Sequence, residues 1–148
     1  MTLGAHYKKY TEGRRVNRLS CVFLLLALTG NAVADTWIVV NDHDDYIAYA
    51  NSASISREGD IARMHDLIDL KAPRFSPYGV SHLSSRAQSE FDCITPRMRT
   101  LEFALHADHM GEGSVVEEVA PSDDWMPVFD GTLLDKLRRF ACAQPERV

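Results

Sequence analysis

Two alternating segments, residues 81–93 and 97–107, lie only three residues apart in this chain and limit its fold more than any other feature. In "SHLSSRAQSEFDC" the odd positions Leu83, Ala87, Phe91 and Cys93 are apolar or small, and the even ones hold His82, Arg86, Gln88, Glu90 and Asp92. In "RMRTLEFALHA" the odd positions again carry Leu101, Phe103, Leu105 and Ala107. Side chains alternate between the faces of a strand, and opposed residues of a hairpin share a face. The pattern therefore predicts an antiparallel hairpin. A three-residue turn at Ile94, Thr95 and Pro96 pairs odd with odd, setting Cys93 beside Arg97 and Phe91 beside Arg99. A slip of one residue would bury Glu90 and Asp92. On this register Arg97 and Arg99 point to the rim of the apolar face, where a guanidinium lies against Phe91 while bonding a carboxylate. The two arginines read as structural or ligand-binding residues.

The flanking segments extend the sheet. "DTWIVVN" is a β-branched and aromatic run, and Tyr46 and Tyr49 stand in a second extended segment closed by a turn at 58–60. "IARMHDLIDLKAP" is apolar on both parities, a pattern shared by a central strand covered on both faces and by a helix, and its neighbours favour the strand. "RFSPYGVSH", with Pro77 and Gly79, reads as a loop or irregular edge. "SVVEEVA" is a further strand, and "PSDDWMPV" a polar loop leading into Trp125. "DGTLLDKLRRFACAQ" switches to helical period: Thr132 and Asp135 have capping-box spacing, and Leu133, Leu134, Leu137, Phe140 and Ala141 form one apolar stripe. The fold class expected is α+β, mainly an antiparallel sheet with a C-terminal helix packed on one face.

The N-terminal third predicts the compartment. Arg14, Arg15 and Arg18 precede an apolar stretch at 21–28, and small residues end at Ala32-Val33-Ala34, the layout of a cleaved secretory signal over residues 1–34. Polar Thr29 and Asn31 interrupt the run well short of the roughly 20 apolar residues that span a bilayer, so no membrane span is expected in the mature chain. Cys21 sits near the start of the stretch, away from a lipid-attachment position. A start at Val16 would trim the long polar lead to an ordinary signal. Residues 35–148 are then one domain. The leader holds five of the 16 basic residues and one of the 21 acidic ones, leaving 11 and 20, a formal charge of −9. That field repels nucleic acid and anionic lipid. Of the remaining cysteines, Cys93 and Cys142, an even pair in an exported chain reads as a disulfide holding the helix to the sheet. Closing about 50 residues stabilises by roughly 4 kcal/mol.

Together the landmarks resemble the surface-adhesin protein E family of bacterial exported proteins. The resemblance rests on "DTWIVV" after the signal, the tyrosine-bearing strand with "ASISREG", "EFDC", "RMRTL", "GEGSVVEEV" before Trp125, and the helix ending at Ala141 and Cys142. It implies a sheet of about six antiparallel strands with a disulfide-tied helix. It also implies a non-enzymatic surface protein, the family being named after a member that binds host extracellular-matrix proteins. The middle loop departs from the family: it is short and holds "KAPRFSPYG".

Other side chains carry weaker chemistry. "NDHDD" at 41–45 lacks the alternation and central glycine of an EF-hand and reads as a solvated turn. His106 and His109, three apart, point to opposite faces of a strand and read as exposed histidines, and His65 and His82 as isolated ones, so neither metal nor cofactor is expected. No nucleophile elbow, phosphate loop or zinc-protease helix is present, so no catalytic residue is assigned. Trp37, Tyr46, Tyr49, Tyr78 and Trp125 read either as a contact surface or as cover for one face of a thin sheet. The functional expectation is an exported domain, at the cell surface or in the periplasm, that binds a protein partner. The alternative is an envelope module whose open sheet edge pairs with itself or with another protein.

Overall fold

The computed structural model describes residues 36–144, so the signal reading lies outside the described residues. In chain order the strands are β1 (Trp37–Asp42), β2 (Tyr46–Asn51), β3 (Ser56–Glu58), β4 (Ile61–Phe75), β5 (Ser81–Asp92), β6 (Arg97–His106), β7 (Val115–Val119) and β8 (Met126–Pro127), followed by helix α1 (Leu133–Cys142). Every pairing is antiparallel, with spatial order β1-β2-β4-β5-β6-β7. The short β3 and β8 add to β4 and β6. The expected class therefore stands, with six strands on the main path.

β4 is central because it can be buried on both sides. Its Ala62 and Met64 are fully buried on one face and Leu67 on the other. It also runs further than the sequence suggests. Arg74 and Phe75, with Ser81 and His82, belong to paired strands, and only residues 76–80 form the hairpin tip, closed by Ser76 and Val80. The ladder breaks between Asp69 and Arg74, where Pro73 has no N–H to give.

The β5–β6 register differs from the expected one by one residue. The turn is four residues long, and the pairs are Asp92 with Arg97, Phe91 with Met98 and Glu90 with Arg99. Leu101 is then an extra residue, restoring Gln88 to Glu102 and Ala87 to Phe103. The slip does bury Glu90 and Asp92, at 5% exposure each. Its cost is met by partners that local alternation does not reveal: Arg63 on β4, Arg99 on β6, and the amides of Ile94 and Thr95.

α1 covers one end of one sheet face. Its Leu137 and Ala141 join Ala50, Ile55, Ala62, Met64, Phe91, Met98 and Val128 in the core, and Leu133, Leu134 and Phe140 pack around them. Thr132 caps the helix, its hydroxyl accepting from the Asp135 amide. Asp135 reciprocates one residue early, accepting from the Gly131 N–H. The Arg139 guanidinium, then that N–H, hold its carboxyl below the usual range. Cys142 is bonded to Cys93 with Cα atoms 5.6 Å apart, which ties the helix to the β5–β6 turn. Arg138 adds a bond to the Asp92 carbonyl at 3.2 Å. Among the described residues no helix is long and apolar enough to cross a membrane.

Candidate functional site

The sheet face opposite α1 is built by the other parity of each strand. Trp37 opposes Asn51, and His65, Gln88 and Glu102 oppose one another across β4, β5 and β6. Opposed side chains share a face, so these residues form a row running across the strands. The row floors a groove of about 770 Å³, whose walls include Arg86, His106 and Glu118.

Behind Arg86, at one side of the groove, the 3-10 turn His109–Gly111 folds onto β4 and β5. Asp69 Oδ1 accepts from the Met110 N–H at 2.7 Å and lies 3.1 Å from His109 Nδ1. Fully buried Ser84 donates to the Asp108 carbonyl and accepts from the Gly111 N–H. Arg86 donates to the Met110 carbonyl at 3.0 Å. Met110 has a φ of 57°, which a non-glycine residue holds at a cost, and here both of its backbone polar groups are tied down. Gly111 also has a positive φ, and a Cβ on it would run into the Arg86 side chain. The same guanidinium lies 5.6 Å from the Trp37 ring centre. Burial, then the Arg86 charge, pushes the His106 imidazole down, so it is neutral at neutral pH.

Beyond the other side lies a layered ion cluster. Glu90 accepts from Arg63 at 2.6 Å and from Arg99 at 2.7 Å, and Asp92 from Arg97 at 3.0 Å. The Trp125 ring lies 4.7 Å from the Arg97 guanidinium and 5.0 Å from that of Arg99. Burial works to raise the Glu90 pKa but is outweighed by Arg63 and Arg99, so the carboxyl sits below its ordinary value. For Asp92 burial is likewise outweighed, by the Thr95 and Ile94 amides and by Arg97. A second hollow, of about 730 Å³, is bordered by Arg57, Glu58, Arg63 and Arg99.

Arg97 and Arg99 thus point away from Phe91, correcting the expected placement, because the register slip moves them to the opposite face. They do bond carboxylates, with Trp125 as their ring. The five aromatic residues do not form one patch. Trp37, Tyr49 and Trp125 stand on or beside the helix-free face. Tyr46 stacks on His43 at 4.9 Å in the β1–β2 turn. Tyr78, 82% exposed, stands at the β4–β5 tip. His106 is not an ordinary exposed histidine, since its Nδ1 is shielded, and His65 is not isolated but lies in the central row. Sequence reading missed Gln88 and Glu102 as partners and Arg63 and Arg86 as anchors. The even parity of Gln88 and Glu102 was the available signal, but it needs the Leu101 bulge to bring them together.

The family model described as Surface-adhesin protein E matches residues 37–143. No curated protein matches the chain. Among solved structures, Haemophilus influenzae protein E is similar at TM-score 0.50 and 17% identity, covering 74% of this chain and 93% of that one. Its crystal form II gives 0.51 and 15%, covering 74% and 95%. At such identity the likeness carries the fold.

Proposed function

Because the chain belongs to the surface-adhesin protein E family, we propose that it is an exported, non-enzymatic binding domain that engages a protein partner at the cell surface. Extracellular-matrix proteins are the class the family points to. The observation that carries this reading is the helix-free sheet face, where a groove lies between two rigidly tied margins. Such pre-organisation lowers the ordering cost of binding. The β4–β5 tip extends the surface with Phe75 and Tyr78, 73% and 82% exposed. The Cys93–Cys142 bond supports an oxidising location, and one domain over residues 35–148 after a cleaved signal accords with it. Tyr49, Arg97, Arg99 and Trp125 are assigned to shaping this surface, Tyr46 to packing on His43 in the β1–β2 turn, and Tyr78 to direct contact.

The test is solid-phase binding of the oxidised protein to immobilised extracellular-matrix proteins. Saturable binding that is lost on reduction is expected, and absence of binding to every matrix protein overturns the reading. One observation favours a second reading, an envelope module pairing through its sheet edges. Val39 on β1 and Val115 and Val119 on β7 are about half exposed on strands that each lack a neighbour on one side among the described residues. Protection from protease added to intact cells would favour it.

A further inference from the structure

The middle row of the helix-free face differs from both of its margins. Asp69, Ser84, Glu90 and Asp92 are all bonded within the fold. Between them, the side chains of Trp37, His65, Gln88 and Glu102 make no hydrogen bond or ion pair to the other described residues, yet four different strands hold them in line. A concave floor with a few convergent polar groups and an aromatic ring at one end matches the make-up of a ligand site.

The chemistry of the row selects among ligands. Gln88 both donates and accepts, Glu102 accepts, the His65 imidazole offers ring nitrogens for hydrogen bonding, and indole offers one N–H and a flat apolar face. That mixture complements hydroxyl groups, which themselves donate and accept. Anions are disfavoured, because Glu102 and Glu118 line the groove while Arg86 Nη2 is held by the Met110 carbonyl near Glu112 and its Nε is buried. An extended peptide fits poorly as well. The floor strands already spend their backbone groups on one another, and a peptide repeats at about 3.3 Å, whereas the row repeats at the strand spacing of roughly 4.8 Å. A pyranose ring is about as long as that spacing. From β1 to β7 the sheet is about 24 Å across, room for several linked rings.

We infer that the groove binds a neutral oligosaccharide chain laid across the strands. Trp37 stacks on one ring, and His65, Gln88 and Glu102 bond ring hydroxyls. The inference rests on reading this face as the adhesive surface and specifies what it recognises: a glycan, whether carried on a matrix glycoprotein or in a free polysaccharide.

The experiment is an array of neutral, sialylated and sulfated oligosaccharides probed with the oxidised full-length protein. Binding to neutral structures is expected. It should fall at least tenfold in Trp37→Ala and in Gln88→Ala, with Phe129→Ala, exposed outside the groove, unchanged and the melting temperature of Gln88→Ala kept. No glycan signal, a signal confined to sulfated or sialylated structures, or a Gln88→Ala variant that binds normally would overturn the inference. A second arm compares one matrix glycoprotein before and after enzymatic removal of its glycans, alongside a free neutral polysaccharide. Loss of binding on deglycosylation identifies the glycoprotein source, and binding to the polysaccharide the free one. Undiminished binding to the deglycosylated protein sinks the glycan inference while leaving the adhesive reading intact.

Discussion

Arg99→Met tests the ion cluster at one margin of the binding face. Arg99 gives one charge-assisted bond of 2.7 Å to Glu90, whose side chain is 6% exposed, and lies 5.0 Å from the Trp125 ring centre. The bond is worth about 1.5–3 kcal/mol and the stack about 0.5–1 kcal/mol. Methionine recovers about 1 kcal/mol by packing against the indole. Glu90 keeps Arg63 at 2.6 Å, so the 3–5 kcal/mol cost of stranding a buried charge is not reached. The net expectation is a loss of about 2 kcal/mol, or about 8 °C in melting temperature for a domain of this size. Thermal melts of wild type, Arg99→Met, Glu90→Gln and the double variant at pH 7 should give a coupling of about 1 kcal/mol or more. The pH dependence adds a check. Glu90 titrates lower when folded than its ordinary 4.5, so its contribution is present above pH 4.5 and is lost as pH falls through the folded value. The gap between wild type and Arg99→Met should therefore narrow in acid. A midpoint within about 1 °C of wild type, with no coupling, would refute the structural role of the stack.

Two further outcomes follow from groups on the α1 side of the sheet. Asp66 is buried and accepts from the Ser89 hydroxyl at 3.1 Å, and burial pushes its carboxyl from 3.8 up to about 7. The folded state therefore holds this proton more tightly, so stability is highest below pH 4 and is lost as pH rises toward 7, by about 4 kcal/mol. Asp66→Asn should remove that slope in denaturant titrations, and an unchanged slope would refute it. Reducing Cys93–Cys142, which are 49 residues apart, should cost about 4 kcal/mol and lower the melting temperature by about 15 °C. A reduced protein melting within a few degrees of the oxidised one would show that the bond contributes little.

Much of the fold was legible because the signals are local. The stripe from Leu133 to Ala141 and the Thr132 cap are written within one helix, and the alternation along β5 and β6 within each strand. The hairpin register was not legible. The same alternation fits a three-residue or a four-residue turn, and burial of Glu90 and Asp92 argues for the first only if they lack partners. Arg63 lies 27 residues from Glu90 and reaches it from a different strand.

By itself, then, the sequence determined the main strands, the helix and its buried face, and the pairing of Cys93 with Cys142, since each follows from periodicity or from the small number of candidates. Tertiary structure alone decided which face each arginine occupies and which polar side chains meet in the groove. A single inserted residue, Leu101, reverses side-chain direction along β6, and only pairing with β5 shows where that reversal falls.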